Sequence, residues 1–114
     1  NIIFDFLNDN EVEKIDSRNC FQFYPLKFLS ADIAKVLKSE IKLLNMAVAP
    51  IETSNVAQIC LGRPFKNEVV GKPILYDFRS KHARVFGGKN GHLYSLRQIE
   101  DSLRDYVAGY TRAN

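Results

Sequence analysis

Four polar side chains are the candidates for contact with a ligand: Asn1, Gln22, Tyr24 and Arg79. Gln22 and Tyr24 alternate along an aromatic stretch, so a strand there would turn both side chains to the same face. Arg79, with Lys81, stands near the start of a predicted helix, whose backbone N–H groups would add to their attraction for a phosphate. Asn1 opens the first predicted helix, either as its cap or as a ligand contact. Together these residues indicate a site for an anionic ligand, and the alternative for each one alone is a solvated surface position.

The patterns of known catalytic and metal sites are missing from the sequence. His82 and His92 fall in different predicted elements with no His or Cys at ligand spacing, which favours structural or surface roles over a metal site. Cys20 and Cys60 have no local basic partner, so packing is favoured over reactivity. The glycine-rich run 87–91 fits neither a dinucleotide-binding loop nor a P-loop and is predicted to be a turn. No Tyr has a Lys four residues later and no Ser lies in a Gly-x-Ser-x-Gly elbow, so we expect no catalysis by this chain alone.

Length and composition predict one globular domain spanning residues 1–114. The chain has 114 residues, 46% hydrophobic and 25% charged, which is enough to bury a core. Its formal net charge of +3 is mild and its basic residues are spread among acidic ones, which argues against nucleic acid as a partner and suits a small anion. No apolar run approaches the ~20 residues that span a bilayer, so no membrane partner is expected. Two widely spaced cysteines without a basic leader favour reduced thiols in a cytoplasmic protein.

The hydrophobic pattern predicts a small mixed α/β (α+β) domain of short strands and helices. Strands are predicted over residues 20–27, 43–47 and 74–78. Pro25 removes a ladder donor, so the first strand either lies at a sheet edge or stops pairing there. Helices are predicted over residues 2–8, 30–39 and 80–86, after a cap at Thr53 or Ser54, and from a capping box at Ser95 and Gln98 to the end. The helix over 30–39 is expected to begin at an N-cap Ser30 and to bury an apolar stripe of Leu29, Ile33, Val36 and Leu37.

The same stretches carry a family resemblance. Residues 23–37, FYPLKFLSADIAKVL, and residues 41–62, IKLLNMAVAPIETSNVAQICLG, resemble the C-terminal part of extended short-chain dehydrogenases, the NAD-dependent epimerase/dehydratase family. The segment 76–83 followed by Phe86-Gly87-Gly88 is similar to a late segment of that family, and the capped final helix matches as well. Three departures stand out: the strand reads Cys20-Phe21-Gln22-Phe23 where the family often has an Arg that binds a diphosphate, the Asp that usually opens the following helix is replaced around Lys27-Phe28, and Gly88 replaces a Trp.

The resemblance implies that residues 1–114 form the small C-terminal substrate-binding domain of a sugar-nucleotide epimerase- or dehydratase-like oxidoreductase. The Rossmann domain that binds NAD or NADP and carries the catalytic Tyr and Lys would lie upstream, and the opening of this chain inside an apolar run predicts that it was cut from a longer protein. The expected partners are a nucleotide-sugar-like small molecule, the chain's own N-terminal Rossmann domain and a second copy in a homodimer. Because the strand lacks the Arg, the substrate need not be a nucleotide sugar. The alternative is a non-catalytic protein-interaction module.

Overall fold

Four α-helices surround a two-stranded antiparallel sheet in residues 1–113, the part of the chain described by this computed structural model. The helices are α1 (Ile2–Leu7), α2 (Leu29–Leu37), α3 (Thr53–Leu61) and α4 (Leu96–Ala113). The strands are β1 (Cys20–Phe21) and β2 (Ile51–Glu52). Single 3-10 turns cover Val12–Lys14, Leu26–Phe28 and Ala83–Phe86. The predicted small mixed α/β domain is therefore confirmed.

The sheet is shorter than the sequence predicts. In its register, Cys20 lies opposite Glu52 and Phe21 opposite Ile51. The strand predicted over residues 20–27 ends at Phe21 in the structure. At Gln22, side-chain hydrogen bonds to Val48 and Phe78 replace the backbone hydrogen bonds of a ladder. The predicted strand 74–78 lies along the other side of β1, where it makes one parallel bridge, between Cys20 and Leu75, and no longer ladder.

The prediction of a strand over residues 43–47 is wrong. That segment carries no strand, and only its end pairs with the chain: the Leu93 N–H donates to the Ala47 carbonyl at 2.8 Å. The Ala49 N–H then donates to the Tyr94 carbonyl at 3.0 Å. Leu43, which the apolar pattern places in a buried strand, is 82% exposed. Leu44 and Met46 are partly buried against the core and Ala47 is buried, so the run enters the core without a neighbouring strand to pair with.

Helix α2 is rotated so that Asp32 and, one turn later, Val36 face the core. It begins at Leu29, directly after a 3-10 turn, and Ser30 is not its cap. Its one buried residue is Asp32, which is 1% exposed, whereas Leu37 is 80% exposed and Leu29 and Ile33 are exposed as well. The predicted burial of the stripe is wrong for Leu29, Ile33 and Leu37, whereas its fourth member, Val36, is partly buried against the core.

The core lies between α1, α3, α4 and the segments that connect them. The central residues of α3, Val56 and Ala57, are fully buried, and Ile99 and Leu103 of α4 are almost fully buried. The full buried cluster comprises Phe6, Ile15, Val48, Ile51, Val56, Ala57, Phe86, Leu93, Tyr94, Ile99 and Leu103.

The predicted end signals of α3 and α4 are present, although the cap of α3 differs. Gly62 ends α3 in the left-handed conformation, with φ of 71°. At the start of α4, the Ser95 N–H donates to Gln98 Oε1 at 2.8 Å and the Gln98 N–H to Ser95 Oγ at 3.3 Å, which completes the predicted capping box. The N-cap of α3 is Glu52, whose side chain makes no capping bond, so neither Thr53 nor Ser54 is the cap. None of the helices in residues 1–113 combines the length and apolar character that a bilayer-spanning segment requires.

A carboxylate joins the loop before β1 to the irregular segment after α3. Asp16, nearly buried, accepts from the backbone and guanidinium of Arg18 at 2.8–3.0 Å and from the Val69 N–H at 3.1 Å. Arg18 also donates to the carbonyls of Val69 and Gly71. The hydrogen bonds from Arg18, followed by the one from Val69, hold the pKa of Asp16 well below its usual range. The ionised carboxylate thus stabilises a junction between segments more than 50 residues apart.

We expect this junction to make the fold sensitive to acid. Because the folded pKa of Asp16 is lower than the unfolded one, its stabilisation is complete above about pH 4 and is lost as the pH falls further. Asp16→Asn should therefore be less stable than the wild type at pH 7 and lose less stability between pH 5 and pH 2, measured by urea unfolding. Asp105→Asn, which alters an exposed carboxylate paired with Lys27, should keep the wild-type pH dependence. Parallel curves for wild type and Asp16→Asn would contradict this role.

Candidate functional site

Arg79 lies in a cleft of about 540 Å³ with three other basic side chains. This basic cleft forms where the chain after α2 meets the residues that follow segment 74–78. It is lined by Glu40, Ile41, Lys42, Leu43, Asn45, Arg79, Ser80, Lys81 and His82. Glu40 is the only acidic residue among them, so the potential in the cleft favours an anion.

The backbone at Ser80 is fixed from inside the protein. Ser80 is buried, and its N–H donates to the Gly91 carbonyl at 2.7 Å while its Oγ accepts from the His82 N–H at 3.1 Å. Gly91 has φ of 81°, and a Cβ there would lie 2.7 Å from Arg79 Cβ. Only glycine fits this contact, so the turn 87–91 sets the position of Arg79.

The prediction of a helix over residues 80–86 is wrong. Its residues form only a 3-10 turn, Ala83–Phe86, after the anchored Ser80. The basic cleft therefore has no α-helix N-terminus behind Arg79 and Lys81, and the attraction for an anion comes from their side chains.

Arg79 is oriented by a carboxylate. Its Nη2 donates to Asp77 Oδ2 at 2.8 Å, and the other oxygen of Asp77 lies 2.7 Å from His92 Nε2. The hydrogen bond from Arg79, then that from His92, lowers the pKa of Asp77, and Asp77 in turn raises the pKa of Arg79. A guanidinium has five N–H donors, so this contact positions Arg79 and leaves donors for a ligand.

Gln22 binds the chain just before Arg79. Its Nε2 donates to the carbonyls of Val48 at 2.7 Å and Phe78 at 2.8 Å, and its Oε1 accepts from the Phe78 N–H at 2.8 Å. The amide of Gln22 is thus engaged on both sides within the protein. It supports the cleft by fixing Phe78, and it does not line the cleft itself.

Tyr24 belongs to a buried polar cluster, which we call the Asp32 clamp: Asp32 with the hydroxyls of Tyr24 and Tyr94. The Tyr24 hydroxyl donates to Asp32 Oδ2, and the Tyr94 hydroxyl lies 2.8 Å from both carboxylate oxygens. Burial, and next the hydrogen bond to Asp32, raises the pKa of each tyrosine well above its usual range. Phe28 stacks on Tyr94, with ring centroids 4.5 Å apart. The clamp joins α2 to the segment before α4.

Asn1 caps α1, since its Oδ1 accepts from the Ile3 N–H at 2.8 Å. It lines neither the basic cleft nor the other large cleft of the protein. Of the four predicted site residues, the structure therefore places Arg79 in the basic cleft and Gln22 behind it. Tyr24 and Asn1 lie elsewhere, each with an intramolecular partner.

The histidines, the cysteines and the glycine-rich turn are the other candidates that the sequence offers. Within residues 1–113, no three His, Cys, Asp or Glu side chains come together as a metal site would need. Cys20 and Cys60 are both free thiols, and burial raises the pKa of Cys60 to about 11. The predicted turn 87–91 is confirmed by the hydrogen bond from the His92 N–H to the Lys89 carbonyl at 3.0 Å.

A second cleft, of about 890 Å³, lies beside the first turns of α3. It is lined by Ser17, Arg18, Glu52, Ser54, Asn55, Gln58, Pro64, Phe65, Lys66, Asn67 and Glu68. Its basic and acidic residues are equal in number, and Arg18 is already bound to Asp16. This second cleft therefore lacks the positive charge that distinguishes the basic cleft.

Sequence reasoning missed Lys42 and His82 as cleft residues. Lys42 lies almost forty residues before Arg79 in the sequence, directly ahead of the predicted strand 43–47, so nothing near it in the chain indicates a ligand site. The available signal was the cluster of basic residues around Arg79, which reaches His82 when read past Lys81.

Comparison of this chain with family models, curated proteins and solved structures found no match.

We expect the Asp32 clamp to make a large contribution to stability. Tyr94→Phe removes a buried hydroxyl that donates to a carboxylate, so it should lower the free energy of unfolding by about 1.5–3 kcal/mol, measured by urea denaturation at pH 7. Tyr76→Phe, which alters an exposed tyrosine, should change it by less than about 0.5 kcal/mol. Equal effects of the two substitutions would contradict the clamp.

The clamp should also limit stability in alkali. The folded pKa of Tyr24 and of Tyr94 is raised, so the stabilisation is complete below about pH 10 and is lost as the pH rises through the folded pKa. Wild-type protein should therefore lose stability steeply between pH 10 and pH 12, and Tyr94→Phe less steeply. Denaturation curves at several pH values measure both slopes, and a steeper loss in the variant would contradict the assignment.

Proposed function

We propose that this chain is the substrate-binding part of an NAD(P)-dependent sugar-nucleotide epimerase or dehydratase. The basic cleft carries the proposal, and the family assignment has its support in the sequence resemblance. The chain itself would bind an anionic, nucleotide-sugar-like substrate. NAD or NADP and the catalytic Tyr and Lys would belong to a Rossmann domain in the same protein, and two free thiols suit a cytoplasmic setting.

The charge of the cleft suits a diphosphate. Lys42 and Lys81 supply compact positive charges, and the Arg79 guanidinium can donate two parallel hydrogen bonds to phosphate oxygens. Asp77 holds Arg79 in one orientation before the ligand arrives, which reduces the entropy lost on binding. In this proposal Arg79 takes the part that an Arg in the first strand plays in the family.

Apolar side chains adjoin the basic ones. Ile41 and Leu43 line the cleft on either side of Lys42 in the sequence. Apolar side chains in a cleft that also holds positive charges can contact the apolar part of a bound ligand. A ligand with both an anionic and an apolar part therefore fits better than an inorganic anion.

The exposed apolar side chains of α2 favour the presence of a neighbouring domain that covers them. Leu29, Ile33 and Leu37 lie on one side of the helix and face solvent in this chain. Rows of exposed apolar side chains at helical spacing are typical of surfaces that pack on another part of a protein. In the proposal this surface packs on the Rossmann domain. The same observation favours the alternative, a non-catalytic protein-interaction module, and it also leaves room for a homodimer.

Ligand binding distinguishes the two functions. We expect UDP-glucose to bind the chain, and the Lys42→Ala/Lys81→Ala double variant to bind it about tenfold more weakly, which is about 1.4 kcal/mol. Isothermal titration calorimetry at low salt measures the difference, because screening weakens contacts between exposed charges. The control variant, Lys38→Ala/Lys66→Ala, removes two lysines outside the basic cleft and should bind as the wild type does. Equal affinity of the two double variants would contradict the role of the cleft, and no binding by the wild type would favour the interaction module.

Catalysis should require the cofactor domain. Incubated with NAD or NADP and UDP-glucose, the isolated chain should give no product and no change in absorbance at 340 nm, because it has no Tyr and Lys at the reductase spacing. Turnover that follows the protein through purification and is lost in the Lys42→Ala/Lys81→Ala variant would contradict the division of labour.

A further inference from the structure

The segment 74–78 uses only one of its two edges. The Cys20 N–H donates to the Ile74 carbonyl, the Tyr76 N–H to the Cys20 carbonyl, and the Phe78 N–H to Gln22 Oε1. Backbone groups of successive residues in an extended chain point to opposite edges. The N–H and C=O groups of Leu75 and Asp77 therefore point away from β1, and within residues 1–113 they have no hydrogen-bonding partner.

This outer edge has little protection against pairing. Natural edge strands are commonly shielded by Lys, by Pro or by a bulge. Here Pro73 stands before the segment, and its one charged residue is Asp77, whose carboxylate is bound to Arg79 and His92. Leu75 is 67% exposed, and Tyr76 is exposed as well. The edge thus offers hydrogen bonds and apolar contacts together.

The area of the edge fits a peptide better than a folded copy of the chain. Its large side chains are 45–67% exposed, which at about 200 Å² for a complete side chain amounts to roughly 450 Å² for Ile74, Leu75, Tyr76 and Phe78 together. Each partner in a stable protein dimer buries about 800 Å². An extended segment needs only the edge itself, because its backbone hydrogen bonds supply much of the affinity.

The charges at both ends indicate the composition of that segment. Lys72 precedes the edge, and Arg79 and Lys81 follow it. An incoming strand would bring its own ends beside these cations, so acidic residues there would be attracted and basic ones repelled. We propose that the outer edge of residues 74–78 binds, by strand addition, an extended apolar segment of a partner protein that is flanked by acidic residues. This interaction goes beyond ligand binding in the basic cleft, although both use the charges of Arg79 and Lys81.

The probe for this proposal is a fluorescein-labelled peptide of the sequence Glu-Val-Thr-Val-Tyr-Val-Glu, titrated with the chain and followed by fluorescence anisotropy. Leu75→Pro removes an N–H that the fold does not use and should weaken binding about tenfold. Leu75→Ala keeps that N–H and should weaken binding less. Replacing both terminal Glu of the peptide by Lys should also weaken binding, because the ends of the edge are basic.

Methylated peptides test the backbone contacts without altering the protein. Two versions carry N-methyl groups on one or the other alternating set of amides. Strand addition predicts that one set weakens binding about tenfold while the other changes it less than about twofold. Equal weakening by both sets, or no binding of the unmodified peptide, would overturn the proposal. It would also be overturned by a dimer, seen by sedimentation equilibrium, that Leu75→Pro abolishes, since the occupant of the edge would then be a second copy.

Discussion

The buried carboxylate of Asp32 is the constraint on which the arrangement of α2 depends. A carboxylate inside a protein is tolerated only where donors satisfy it, and the two tyrosine hydroxyls do so here. Once Asp32 faces inward, the rotation of α2 is fixed, and Leu29, Ile33 and Leu37 must face outward. Burying a Leu or Ile side chain fully stabilises a protein by about 1.5–3 kcal/mol, so an uncovered stripe forfeits a large part of the stability that its burial would bring. This loss is recovered if a neighbouring domain covers the helix.

The clamp also reaches the second half of the molecule through Tyr94. The backbone of Tyr94 and its neighbour Leu93 pairs with Ala49 and Ala47, which places the extended segment after α2. Near that segment, the Val48 carbonyl receives the amide of Gln22, and Gln22 binds Phe78 directly before Arg79. Hydrogen bonds linked through the covalent chain at Tyr94 and at residues 48–49 thus connect Asp32 to the edge of the basic cleft. The basic cleft is built from irregular segments. These hydrogen bonds fix the positions of the segments, as a sheet would otherwise do.

Local signals in the sequence were sufficient for part of this fold. The capping box of α4, the glycine after α3 and the turn at 87–91 depend on residues close together in the chain, and each is where the pattern predicts it. The side of α2 that is buried could not be predicted, because it depends on Tyr94, which lies 62 residues from Asp32. The strand 43–47 failed for a related reason, since an apolar run without a neighbouring strand cannot form a ladder. In the site, Arg79 was identified from its local charge, but the chain fold that brings Lys42 to it was not.

The proposed function requires the basic cleft to hold the phosphates of a nucleotide-sugar-like ligand. A crystal structure of the chain grown with UDP-glucose tests it most directly, because it shows where the diphosphate lies. We expect phosphate oxygens within hydrogen-bonding distance of the Arg79 guanidinium, between the Lys42 and Lys81 side chains. A diphosphate bound instead in the cleft beside α3, near Asn55 and Gln58, would contradict it.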